Sequence, residues 1–189
     1  MTAQLKLVLA SGSPRRKELL EQLGYQFDIV KPDVEETQQL GESPSDYVVR
    51  LSKDKALAGL KLTSAGSVVI GSDTIVVAGE KVLEKPTDYL DAKHMLMRLS
   101  SGKHQVMTAV TIATEQKIKS VMVKTDVWFK SLTEQEIKQY WDSGEPCDKA
   151  GSYGIQGLGG RFVTRIDGSY YAVVGLPLFE TEQLLHEFI

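Results

Sequence analysis

The stretch LVLASGSPRRKELLEQLG, Leu7–Gly24, sets the fold class. Leu5 to Ala10, apolar but for Lys6, predicts a buried strand. Ser13 then has the chemistry of a helix N-cap, with Pro14 at the first helical position. Leu19, Leu20 and Leu23 form an apolar stripe, and Gly24 suits the residue just past a helix C-terminus. A buried strand feeding directly into an amphipathic helix is the opening of an α/β protein. One feature runs against ordinary helix design. Arg15 and Arg16 fall in the first turn, where the helix dipole disfavours cations by roughly 0.3–1 kcal/mol each.

The same vocabulary continues along the chain. FDIVKPDVEET is a strand running into an acidic loop, and Ser43-Pro44 opens a helix extending to about Leu60. SVVIGSDTIVV predicts one long apolar strand interrupted at Gly71–Asp73, followed by an AGEK turn and VLEKP as a short return strand. Thr87 is placed to cap a third helix ending near Leu99. HQVMTAVTIA and IKSVMVKTDVWFK form two long strands joined by TEQK. Thr133 and Glu136 have capping-box spacing for a helix ending near Gly144. DKAGSYGIQGLGG is a glycine-rich loop. RFVTRIDGSYYAVVG reads as a hairpin turning at Asp167-Gly168, and Pro177 opens the last helix. Strands alternate with helices early and with turns later, so a mixed α/β sheet is expected.

Composition narrows the function. The chain has 189 residues, 42% hydrophobic, and a formal net charge of −3, which disfavours general nucleic-acid or membrane-surface binding. One cysteine, Cys147, excludes a disulfide framework and a cysteine zinc site. The N-terminus has no secretory apolar region and no segment is long enough to span a bilayer, so a cytoplasmic protein is expected. The histidines His94, His104 and His186 lack HExxH spacing, and no GxSxG elbow occurs.

Four placements of polar residues bear on chemistry. Two arginines at a helix start suit a polyanion docking on free N–H groups, or are two solvated surface cations. Lys55 falls on the same helix face as Tyr47, Val48 and Leu51, so it either snorkels or points into a site. Asp73 interrupts a core strand, where its carboxylate needs a hydrogen bond, a metal or a proton, unless Gly71–Asp73 is a self-satisfied bulge. AGSYGIQGLGG combines glycines, which permit close backbone approach, with the Gln156 amide. Glu35 and Glu36 are acids in a loop after a strand. Together these are parts for binding a nucleoside triphosphate with a divalent metal, although neither a Walker A loop nor a GxGxxG fingerprint is present.

The segments LASGSPRRKELL, DVEET, YVVRLSKDKA, IGSDTIVV, EKP, LSSGKHQVMTAV, SGEPCDKAGSYGIQG and VVGLPL occur in this order along nearly the whole chain. In this the chain resembles the Maf family of nucleoside triphosphate pyrophosphatases. The resemblance implies a single domain over residues 1–189, a mixed α/β fold with an elongated central sheet flanked by helices, and two lobes around a cleft. It implies a homodimer that hydrolyses a nucleoside triphosphate to the monophosphate and pyrophosphate with Mg²⁺ or Mn²⁺; the charge balance adds that no nucleic-acid or membrane partner is expected. By motif position it implies Ser11, Ser13, Arg15 and Arg16 as phosphate-binding, and Asp73, Lys55 and Lys85 as catalytic, with Asp73 the proton acceptor. It implies Glu36, ahead of Glu35, and Asp73 as metal ligands. Arg15, Thr74 and Gln156 match the subgroup acting on dTTP and UTP. The subgroup acting on 7-methyl-GTP has a tryptophan after SP, SDQ for SDT and an acid near the end of the loop, none of which is present here. A hydrolase for a modified purine nucleotide and a nucleotide-binding regulator of cell division are the alternative readings.

Overall fold

The structure, a computed structural model, describes residues 6–189; the predicted strand residue Leu5 lies outside the described residues. Among the described residues a seven-stranded mixed sheet has the order β2 (Asp28–Val30), β1 (Lys6–Ala10), β3 (Ser67–Ala78), β5 (Lys103–Ala113), β6 (Ile118–Phe129), β7 (Val163–Asp167), with β4 (Lys81–Leu83) paired to β3. The chain divides into two compact units. The first comprises residues up to 73 with 108–123 and 175–189, and the second comprises 74–107 and 124–174.

In the first unit β1 (Lys6–Ala10) is parallel to β2 (Asp28–Val30) and to the start of β3 (Ser67–Ala78), with Lys6 opposite Ser67 and Val8 opposite Asp28. Parallel neighbours need crossovers, and α1 (Pro14–Gln22) and α2 (Pro44–Leu60) supply them. Both helices start as the sequence predicts: Ser13 and Ser43 are N-caps, each followed by proline. Gly24, at φ +79°, donates its N–H to the Glu21 carbonyl and ends α1.

The contact between α2 and the sheet decides where Lys55 goes. Tyr47, Val48 and Leu51 are buried as expected. Beside them, Ser52, Ala56 and Gly59 form a stripe of small residues at helical spacing. A Cβ on Gly59 would lie 2.5 Å from the Ala10 Cβ, and one on Gly71 would lie 2.3 Å from the Ser52 carbonyl oxygen. The helix backbone thus rests directly on β1 and β3. Asp73 is two residues beyond Gly71 and shares its strand face, within reach of Lys55.

The predicted interruption of β3 is absent: the strand runs unbroken from Ser67 to Ala78. Its polar residues are satisfied by partners rather than by a bulge. Ser72 donates to the Gly175 carbonyl (3.1 Å), and Asp73 pairs with Lys55. Deeper in this unit, Ser52 Oγ shares a hydrogen bond with Thr111 Oγ1 (2.8 Å), which in turn shares one with Ser120 Oγ (2.6 Å). Thr111 and Ser120 belong to β5 (Lys103–Ala113) and β6 (Ile118–Phe129).

In the second unit β4 (Lys81–Leu83) pairs antiparallel with the end of β3, and β7 (Val163–Asp167) pairs antiparallel with β6. Its core includes Val76, Leu96, Phe129, Ile137, Tyr140 and Phe162. The predicted capping box of Thr133 and Glu136 starts α4 (Glu134–Asp142), with Gly144 just past its end. Three expectations are corrected. α3 (Tyr89–Leu99) is capped by Asp88 rather than Thr87, since the Asp88 carboxylate accepts the Asp91 N–H. The glycine-rich stretch is largely wound into 3-10 turns at Ala150–Ser152 and Leu158–Phe162. After Asp167 the chain does not return as a strand but forms α5 (Tyr170–Val174). Ser169 decides this, because its N–H is held by Thr125 Oγ1 and its own hydroxyl accepts the Ala172 N–H, as a cap does. The apolar run YYAVV has no periodicity of its own to choose between strand and helix. The last helix, α6 (Leu178–Leu185), follows Pro177 in the first unit.

His104 is 2% exposed and packs edge-on against Phe129 and Tyr153, sharing a hydrogen bond with Tyr153 Oη (2.7 Å). Burial lowers its pKa to about 4, against a smaller opposing pull from Asp126. The unfolded chain therefore takes up this proton near the ordinary histidine value and the folded chain does so only well below it. This contribution to stability is complete above that ordinary value and is lost as pH falls toward 4. It should remove about 2 kcal/mol between pH 7 and pH 5. Urea unfolding of the parent and of His104→Gln at both pH values checks this: the variant should lose much less stability on acidification.

Candidate active site

The turn from β1 into α1 is built by its serines. Ser11 Oγ accepts the Ser13 N–H (3.1 Å), and Ser13 Oγ accepts the Arg16 N–H (3.4 Å). Both hydroxyls keep a proton to donate. No acid lies in the first turn of α1 to offset Arg15 and Arg16. The compensation comes from elsewhere in the first unit. Arg16 Nε donates to the Gly175 carbonyl (2.8 Å), the oxygen that also accepts from Ser72. Burial lowers the Arg16 pKa and Arg15 adds to this, while Asp73 and Glu36 pull the other way. Arg15 is half-buried beside it.

Lys55 stands between two carboxylates. Its Nζ lies 2.6 Å from Asp73 Oδ1 and 2.8 Å from Glu36 Oε1. The Lys55 and Asp73 side chains are 13% and 8% exposed, whereas Glu36 is 41% exposed. The lysine does not snorkel; it is aimed inward. Burial raises the Asp73 pKa above its ordinary value and Glu36 adds to the effect, against the pull of Lys55 and Arg16. The first unit thus gathers Arg16, Lys55, Asp73 and Glu36 into one mixed-charge cluster.

With Asp33, Thr37, Arg50 and Lys61, Glu35 lines a depression of about 580 Å³ whose lining includes none of the four clustered side chains. Two residues without a predicted role hold the acidic loop in place. Tyr47 Oη donates to the Glu36 carbonyl (3.0 Å), and Arg50 donates to the Thr37 carbonyl (2.9 Å) while paired with Glu42. Tyr47 was legible in the sequence only as a core residue, and its hydroxyl was the one hint of a second task. Gly175 was legible only as part of the VVGLPL segment.

The remaining predicted residues belong to the second unit. Thr74 follows Asp73 on β3 and is half-buried. Lys85 is exposed after β4, and Gln156 is exposed between the 3-10 turns.

Among the described residues no group of three or more His, Cys, Asp or Glu side chains is placed to hold a metal. Two carboxylates on one ammonium are nevertheless a suitable donor set for a hard cation. Mg²⁺ keeps several waters and commonly takes one or two carboxylates together with substrate phosphate oxygens. Glu36 and Asp73 fit that pattern. No helix among the described residues is long and apolar enough to cross a membrane.

A family model described as Maf-like protein matches residues 6–188. The chain belongs to the Maf family. Its relatives include the dTTP/UTP pyrophosphatase of Vibrio cholerae serotype O1, 68% identical over 183 residues, covering 97% of this chain and 98% of the relative. That of Vibrio parahaemolyticus is 67% identical over 189 residues, the full length of both. Among solved structures, a nucleoside-triphosphatase / dITP/XTP pyrophosphatase from Mycobacterium abscessus is 17% identical, with a TM-score of 0.43 over 66% of this chain and 74% of its own. The four clustered side chains come from four segments distant in sequence, LASGSPRRKELL, DVEET, YVVRLSKDKA and IGSDTIVV.

Proposed function

We propose that this chain hydrolyses dTTP and UTP to the nucleoside monophosphate and pyrophosphate. The observation that carries the reading is Lys55 held between Asp73 and Glu36 beside Arg16, in a chain about two-thirds identical to relatives named for this activity. Arg15, Arg16 and the Ser11 and Ser13 hydroxyls bind phosphate oxygens at the start of α1. Lys55 orients Asp73 through Oδ1, so that Oδ2 directs a water in line with the α-phosphorus and takes its proton. The bond from the α-phosphorus to its bridging oxygen breaks, and pyrophosphate leaves with its charge met by cations. Glu36 and Asp73 would hold Mg²⁺ or Mn²⁺, which when bound acidifies coordinated water and neutralises phosphate charge. Catalysis of this kind is mostly positioning and electrostatics.

In this reading Lys85 assists the departing phosphates, and Thr74 and Gln156 select the base. Uracil and thymine present an acceptor at O4 beside a donor at N3, which one amide matches; cytosine inverts the pattern. The thymine methyl contributes only about 1 kcal/mol. The whole chain, residues 1–189, then works as one catalytic domain in a cytoplasmic homodimer. Pyrophosphate release from dTTP, UTP, CTP and 7-methyl-GTP tests this. The expected result is chelator-sensitive turnover of dTTP and UTP at rates within about tenfold of each other, with little from the other two. No release from dTTP or UTP, or release indifferent to chelator, would overturn it.

A further inference from the structure

The glycine-rich segment does not spend its glycines on a ligand alone. Glu145, which opens the 3-10 turn Glu145–Asp148, turns its carboxylate into the segment. Oε1 accepts the Leu158 N–H (2.8 Å), and Oε2 accepts both the Gly159 N–H (3.0 Å) and the Tyr140 hydroxyl. A Cβ on Gly157 would fall 1.7 Å from Oε1, so any side chain there would expel the carboxylate. Tyr140 Oη also accepts the Gly154 N–H (3.1 Å), and a Cβ on Gly159 would lie 2.5 Å from it. Tyr140 is fully buried in the core of the second unit.

These bonds bracket three residues. Tyr140 fixes the chain at Gly154, Glu145 fixes it at Leu158 and Gly159, and Ile155–Gly157 lies between with Gln156 at its centre. Burial acts to raise the Glu145 pKa, but the Tyr140 hydroxyl and the Gly159 and Leu158 N–H groups overcome it and hold the group below its ordinary value. The carboxylate is an acceptor only, matched here to three donors.

We infer that Glu145 is a positioning residue for base selection: it fixes the backbone from which Gln156 reaches the base. This rests on the assignment of Gln156 to the base proposed above. If that backbone shifts, the amide no longer stands where the base edge meets it, and the distinction between uracil and cytosine that its donor and acceptor make is weakened. Arg16, assigned to the phosphates, and Lys55 and Asp73, assigned to the attacking water, belong to the first unit, so turnover should survive.

The test is steady-state kinetics on UTP and CTP for the parent, Glu145→Gln, Gln156→Ala and the double variant, with thermal melts to verify folding. Glu145→Gln should raise KM for UTP and cut the UTP-to-CTP ratio of kcat/KM about tenfold, with kcat changed less than about threefold. In the Gln156→Ala background it should change that ratio no further, because residues acting as a unit are not additive. An unchanged ratio in Glu145→Gln, or the same fall in both backgrounds, overturns the inference. If Glu145→Gln does not fold, Tyr140→Phe, which keeps the ring and removes both hydroxyl contacts, carries the same expectations. A Gln156→Ala chain with the parent ratio retires the base assignment and the inference with it. A fall in Gln156→Ala alone retires only the inference.

Discussion

Asp73→Asn is expected to lower kcat on dTTP by more than about 10³-fold while the protein stays folded. The substitution changes charge and proton affinity but hardly changes volume. The amide oxygen still accepts from the Lys55 ammonium, and Lys55 keeps Glu36 at 2.8 Å, so no cation is stranded. Burial already opposes ionisation of Asp73, so replacing it by a neutral group removes a desolvation cost along with an attraction. What disappears is the buried carboxylate proposed to direct a water and accept its proton. Substrate binding should suffer less, because the phosphate contacts assigned to Arg15, Arg16 and the α1 serines are untouched. Steady-state kinetics with dTTP beside a urea unfolding curve separates the two effects. A variant turning over at the parent rate would remove Asp73 from the chemistry.

The parts of this site most open to sequence reasoning were those with a local rule behind them. Ser13-Pro14 fixes where α1 begins, and helical spacing from Val48 through Leu51 points Lys55 at the sheet. Other features depended on a partner far away in the chain. Gly71–Asp73 resembles a break because glycine, serine and aspartate interrupt a β-branched run. The strand continues because α2 fills the space above Gly71, Gly175 accepts from Ser72, and Lys55 meets Asp73. The glycines after Gly151 suggest an open ligand loop, whereas Glu145 occupies the space a side chain at Gly157 would take and Tyr140 the space one at Gly159 would take. Nothing local distinguishes Glu35 from Glu36. The Tyr47 and Arg50 contacts to the loop backbone accompany the choice of Glu36.

Gly71→Ala should be the most damaging single methyl group in the first unit, costing about 3 kcal/mol or more. The added Cβ would lie 2.3 Å from the Ser52 carbonyl oxygen, 2.5 Å from the Ala56 nitrogen and 2.9 Å from the Ala56 Cα. All three are backbone atoms of one helix, so no rotamer relieves the clash and α2 itself must move. It is held on the same side by Gly59, where an added Cβ would be only 2.5 Å from the Ala10 Cβ, and by the Ser52 hydrogen bond to Thr111. Lys55 is adjacent to Ala56, so any retreat of the helix carries the ammonium away from Asp73. Molecules that still fold should therefore lose about 10²-fold in kcat as well. Gly24→Ala is the control: its φ of +79° makes a side chain unfavourable by about 1–2 kcal/mol, but nothing lies within 4 Å of the new Cβ, so activity should persist. Urea unfolding of both variants, with kcat measured below the transition, distinguishes steric displacement of α2 from backbone strain alone. If Gly71→Ala matched the parent in both measurements, the close seating of α2 on β3, and with it the account of how Lys55 reaches Asp73, would have to be abandoned.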